Sequence, residues 1–138
     1  MADIFKFELV SPERLLVSEE VDAITLPATG GDMTILNAHA PVMTTLRPGL
    51  LTVTKAGGAK EEYVVFGGFA DVTDGGLTVL AEDAKPRSEV TREEITRRVE
   101  AARKAHDDAQ GTDDTERRTR AEDFLGQLTT LDQQILPA

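Results

Sequence analysis

The sequence predicts two parts: an antiparallel β-sandwich of about ten short strands over residues 1–84, then an antiparallel two-helix hairpin over residues 88–138. Three observations predict this. Nine of the eleven glycines and five of the six aromatic residues precede residue 85. Hydrophobic residues in that first part alternate with polar ones, the period of a strand with one buried face. Beyond "AKPRSE" (residues 84–89) the period becomes helical and the charge density rises. Residues 1–84 hold 13 acids against 5 bases, whereas residues 85–138 hold 12 against 10, the near balance of solvated helices.

The first strand is read from "DIFKFELV", where Phe5, Phe7 and Leu9 share one face and Lys6 and Glu8 take the other. The same alternation marks "LLTV" (50–53), "EEYVVF" (61–66), "FADV" (69–72) and "LTVLAE" (77–82). Between these runs stand turn signals: "ATGG" (28–31), "RPG" (47–49), "AGGA" (56–59) and "TDGG" (73–76). Strands separated by turns every ~8–12 residues make an antiparallel sandwich or barrel. Parallel pairing would need helical crossovers, and no segment before residue 85 is long enough to supply them.

The first helix starts at a capping box, Thr91-Arg92-Glu93-Glu94, in which hydroxyl and carboxylate satisfy orphan amides. Its apolar face is Ile95, Val99, Ala102, His106 and Ala109, ended by Gly111. "GTDD" (111–114) gives a turn and a second N-cap. The second helix carries Ala121, Phe124, Leu125, Leu128, Leu131 and Ile135 on one face, and Pro137 stops it. Alanines on the first helix cannot cover so many large side chains, so the second helix is expected to need a further surface, the sandwich or a partner. A charge-rich hairpin with few apolar contacts is also a candidate moving part, since such elements open at low cost. A fixed cover over the sheet is the alternative.

Composition excludes several function classes. There is no cysteine, hence no disulfide and no thiolate metal site. A net charge of −10 opposes binding to nucleic acid or anionic lipid. The start of the chain does not read as a signal peptide, and no window approaches the ~18 apolar residues that span a bilayer. The only histidines, His39 and His106, form no metal-binding pair, and no nucleophile elbow, phosphate-binding loop or dinucleotide fingerprint occurs. The expectation is a non-catalytic protein with no cofactor and no metal. Basic residues cluster at Arg97-Arg98, Arg103-Lys104 and Arg117-Arg118-Thr119-Arg120. The first two clusters have acids one turn upstream, Glu93, Glu94 and Glu100, for i,i+4 pairing. The last lies at a helix start, where cations oppose the macrodipole, which points either to an acidic partner or to simple solvation.

Taken in order, "GDMTILNAHAPVMTTLRPGLLTV" (31–53), "FGGFADVTDGGLTVLAEDA" (66–84) and a charged hairpin resemble the epsilon subunit of F-type ATP synthase over nearly the whole chain. Each of "HAP" (39–41), "RPG" (47–49), "GGF" (67–69) and "VLAEDA" (79–84) is weak alone; their order and spacing are specific. The resemblance implies a non-catalytic rotor subunit of the central stalk on the cytoplasmic face of a bacterial inner membrane. Its partners would be the gamma subunit, the ring of membrane proton-carrying subunits and the alpha/beta catalytic head, with no nucleic acid and no direct membrane insertion. Carried over residue by residue, Gly30, Gly31, Asp32, Met33 and Thr34 would meet the ring, and His39, Ala40 and Pro41 would meet gamma. A histidine satisfied within its own sandwich is the other reading of His39. Arg117, Arg118 and Arg120 would meet the beta subunit if the hairpin extends.

Two departures stand out. The family often has Pro-Gly before His-Ala-Pro, where this chain has Asn37-Ala38. Many bacterial members carry an ATP-binding "I/L-D-x-x-R-A" motif; the nearest match is Ile95, Thr96, Arg97, Arg98, Val99 and Glu100, which lacks both aspartate and arginine in register. Weak or absent ATP binding is therefore expected. A free sandwich adaptor docking a peptide or protein partner is the alternative function.

Overall fold

The computed structural model describes residues 3–135. The chain forms two compact units, Met1–Ser88 and Glu89–Ala138. The first holds seven strands: β1 (Phe5–Val10), β2 (Leu15–Ala28), β3 (Gly31–Leu36), β4 (Val42–Lys55), β5 (Lys60–Thr73), β6 (Gly76–Ala81) and β7 (Ala84–Pro86). The sandwich expected from the sequence is present, but its short strands are merged and its pairing is not wholly antiparallel. β1 lies parallel to β6, the two joined through the four intervening strands rather than by a helical crossover. β2, β4 and β5 each run 14 residues, so "EEYVVF" and "FADV" are two halves of one strand. The strand order is β1-β6-β5-β4-β2-β3, with β7 on β5 and β1 also paired to β2. The sheet thereby closes on itself through the long strands, leaving β3 and β7 as short edge pieces.

Each long strand must bend to serve both layers, and the bends have local causes. β2 shifts register against β4 at Val21/Ala23 and again between Thr25 and Ala28, as bulged strands do. β5 bends at Gly67-Gly68. Gly68 has φ +137°, and a Cβ there would lie 2.2 Å from the Leu80 carbonyl oxygen, so only glycine fits. The core lies between the layers. Phe7, Leu9, Ile24, Leu26, Ile35, Leu51 and Leu77 are at most 2% exposed, each contributing ~1.5–3 kcal/mol by burial.

In the second unit, α1 (Arg92–Gln110) and α2 (Thr115–Ile135) form the hairpin. The Glu94 amide donates to the Thr91 hydroxyl at 3.2 Å, and the Arg117 amide to Asp114 Oδ1 at 3.1 Å. Both expected N-caps are therefore made. Ile95, Ala102, Ala109, Leu128 and Leu131 are buried, while Phe124 stays 44% exposed. Val99 and His106 are half-buried on the expected face. The Ile135 side chain and Pro137 lie outside the described residues.

Candidate binding surfaces

The β2–β3 turn carries the residues expected to meet a ring. Only Thr29 and Gly30 form the turn, because Gly31 already begins β3 and pairs with Ala28. Gly30, Gly31, Asp32 and Thr34 are exposed and Met33 is half-buried. Strand alternation explains the difference: Asp32 and Thr34 face outward while Met33 and Ile35 turn toward the core. The turn is tied to β4. Thr29 Oγ1 lies 2.8 Å from Thr45 Oγ1, and the Thr29 amide donates to the Thr45 carbonyl at 3.0 Å. Arg47 reaches across to donate to the Ala28 carbonyl at 2.5 Å and to Asp32 Oδ1 at 2.6 Å.

The loop between β3 and β4 carries His39, Ala40 and Pro41. Ala40 and Pro41 are exposed and His39 is half-buried. The His39 amide donates to the Leu36 carbonyl at 3.1 Å, and its Nδ1–H tautomer donates to the Ala40 carbonyl at 2.7 Å. The imidazole thus closes its own loop. This loop walls one side of a cleft of about 480 Å³, with Lys6, Glu20 and Asp74 also lining it. Among the described residues no cluster of three His, Asp or Glu side chains is placed to hold a metal ion.

The structure reveals an apolar surface that sequence reasoning missed. Thr45 on β4 pairs with Phe69 on β5, Phe69 with Leu80 on β6, Leu80 with Val10 on β1, and Val10 with Leu15 on β2. Directly paired residues point to the same face, so these five form one row across the sheet. Phe69 is 50%, Leu80 52% and Leu15 54% exposed, and Met43, two residues before Thr45 on that face, is 67% exposed. A signal was present: Phe69 and Leu80 are large apolar residues in the polar phase of their strands, opposite in direction to Ala70, Val72, Val79 and Ala81. Without strand pairing nothing said that they were neighbours.

On the hairpin, Arg117 and Arg120 are exposed, and neither has an acid within 4 Å among the described residues. Arg118 Nη2 lies 3.2 Å from Thr115 Oγ1. Of the expected helix pairs only Glu94–Arg98 closes, at 3.3 Å. Ile95 is wholly buried, Val99 half-buried, and Thr96, Arg97 and Glu100 are exposed. That segment thus turns one side to the core and offers Thr96, Arg97 and Glu100 to solvent, with no carboxylate at position 96 and no cation at 99. An apolar cleft of about 240 Å³ runs beside Ala101, Ala105, Phe124 and Leu128. No helix among the described residues is long and apolar enough to cross a membrane.

Comparison with known proteins agrees across the whole chain. Residues 4–87 match the family model of the ATP synthase delta/epsilon chain β-sandwich domain. The chain is 54% identical to the ATP synthase epsilon chain of Chelativorans sp. (strain BNC1) and 53% identical to that of Mesorhizobium japonicum, in each case over the full length of both. Among solved structures it resembles a chain of the Euglena gracilis mitochondrial ATP synthase, in an assembly of OSCP, F1 and c-ring, with TM-score 0.73 and 30% identity over 96% of this chain and 81% of that one. A chain from the central stalk/c-ring structure of the Tetrahymena thermophila enzyme shares the fold, with TM-score 0.64 and 17% identity over 91% of this chain and 94% of that one.

Proposed function

This chain belongs to the ATP synthase delta/epsilon chain family, and from that premise we propose that it does no bond chemistry and works as a mechanical coupler. It is an epsilon-type subunit of the central stalk, one of the rotor parts joining the gamma shaft to the ring of proton-carrying subunits. Its place is the cytoplasmic face of a bacterial inner membrane, held there through the complex. The task is to pass torque from ring to shaft without slip, which requires close-packed contacts, since packed interiors transmit strain.

The observation that carries this reading is the outward row of Leu15, Val10, Leu80 and Phe69, with Met43 beside it on the same face. A contiguous exposed apolar row on a sheet whose core is already filled is the mark of a protein–protein contact. Its occupant is the gamma shaft, with His39-Ala40-Pro41 at the border of the same contact, two residues from Met43. The glycine turn at Gly30 and the outward residues Asp32 and Thr34 face the ring. Arg117, Arg118 and Arg120 are the hairpin residues for an acidic surface of the beta subunit.

The test is a pair of surface substitutions, Phe69→Ser and Leu80→Ser, in the full chain. Both sites are about half exposed, so thermal stability should change little. Each loses ~1–2 kcal/mol of apolar burial at the contact, and affinity for gamma should fall about ten-fold or more per site. Unaltered gamma binding by the double variant would remove this surface from the interface.

A further inference from the structure

The β4 segment Arg47-Pro48-Gly49 does more than turn the chain. We propose that Arg47 is the positioning residue that holds the Ala28–Thr34 tip in the shape it presents to the ring. This rests on the reading that the tip meets the ring. Between Thr25 and Ala28 on β2 the facing partners on β4 jump from Thr52 to Leu46, so the backbone ladder is broken there. A break leaves carbonyls needing a donor from elsewhere. Arg47 supplies it: one guanidinium nitrogen donates to the Ala28 carbonyl at 2.5 Å and the other to Asp32 Oδ1 at 2.6 Å. One planar fork thus grips both strands that flank the turn. The Arg47 side chain is 22% exposed and Asp32 61%, so the arginine lies beneath and the acid at the rim.

Two further contacts make the same joint. Thr29 bonds Thr45 through hydroxyl and amide, on the strand residue two before Arg47. Gly49 lets β4 lie against the Pro27 ring, where a Cβ would come within 2.5 Å of Pro27 Cβ. The glycine turn is therefore a braced corner. Arginine is specific here, because lysine offers one point charge and cannot span a carbonyl and a carboxylate with fixed geometry. Compensation of Asp32 by Arg47 also leaves a polar tip without net charge, suited to the polar loops of a ring rather than to a charged surface.

The experiment uses the assembled ATP synthase. The chain has no cysteine, and a Cβ at Gly30 meets nothing within 4 Å, so Gly30→Cys gives one thiol at the tip. Disulfide cross-linking to cysteines placed in the ring's polar loops is compared for intact Arg47, Arg47→Lys and Arg47→Ala. Amide exchange over residues 28–34 is measured on the same three full-length chains. The expected result is efficient cross-linking with arginine, a loss with both substitutions, and about ten-fold faster exchange confined to the tip. The lysine variant keeps the charge and guards against a folding defect in the alanine variant. Cross-linking and exchange unaltered by either substitution would overturn the brace and leave the tip's ring contact standing. No cross-link even with Arg47 intact would overturn the ring contact itself, and with it the purpose assigned to the brace.

Discussion

Ala38 is the one residue other than glycine with a positive φ among the described residues, at 63°. It lies in the Asn37-Ala38 pair that stands where the family often has Pro-Gly, and asparagine is the one of the two that tolerates such a turn more readily. The chain instead puts the left-handed conformation on the alanine, where Cβ crowding costs ~1–2 kcal/mol. The strain sits in the loop that presents His39 and Pro41, the kind of place where strain is retained for a contact. Ala38→Gly should therefore raise the stability of the chain by about 0.5–1 kcal/mol in urea titrations, the relief being partly offset by greater unfolded-state entropy. Ala38→Val should lower it, because β-branching worsens the same crowding. Equal midpoints for both variants would contradict the argument.

At the level of the element, the three long strands are tied at one end by a polar cluster that alternation alone did not reveal. Lys55 on β4 lies 2.8 Å from Glu61 on β5 and 3.9 Å from Glu19 on β2, and Tyr63 donates to Glu61 at 3.0 Å. Burial, then the bond to Glu61, pushes the Tyr63 hydroxyl up to about 12. The bond to Glu61 raises Lys55, and the bonds from Lys55 and Tyr63 lower Glu61. The signs agree on a window. A raised folded-state pKa gives stability that is complete below the unfolded value and lost as pH climbs through the folded one. Tyr63 and Lys55 therefore contribute fully below about pH 10, and Tyr63 ceases to contribute by about pH 12. Glu61 contributes above the ordinary glutamate range and loses that contribution as pH falls through its lowered folded-state value. Denaturation midpoints should hold from pH 9 to about pH 10 and fall from there to about pH 12, and Tyr63→Phe should flatten part of that slope. An unaltered slope would show that the tyrosine proton is uncoupled from folding.

For the whole molecule, the division into Met1–Ser88 and Glu89–Ala138 motivates a truncation after Ser88. Each unit has its own buried residues, so the truncated chain should fold cooperatively and retain gamma binding through the Phe69–Leu80 row. Loss of cooperative melting in that piece would show that the sandwich depends on the helices. In the reassembled complex the same truncation asks whether the hairpin brakes hydrolysis: a rise in ATPase activity is expected if it does, and no change would make the helices a cover. A calorimetric titration of the full chain with ATP should release no binding heat, because Thr96 and Val99 leave the motif on α1 without its acid and its cation. Measurable heat at millimolar nucleotide would reverse that expectation.

The sequence by itself determined the class of each part. Alternation with glycine turns can only be satisfied by a two-faced sheet, and capped 3.6-residue periodicity by helices, because both depend on neighbours along the chain. It also carried the family resemblance, through the order of "HAP", "RPG", "GGF" and "VLAEDA". Tertiary structure alone decided what depends on residues far apart in sequence. It merged short strands into three long ones, brought Arg47 onto Ala28 and Asp32, and set Leu15, Val10, Leu80 and Phe69 in one row with Met43 on the same face. Those outcomes follow from register, and register is set by packing across the sheet rather than by any local run of residues.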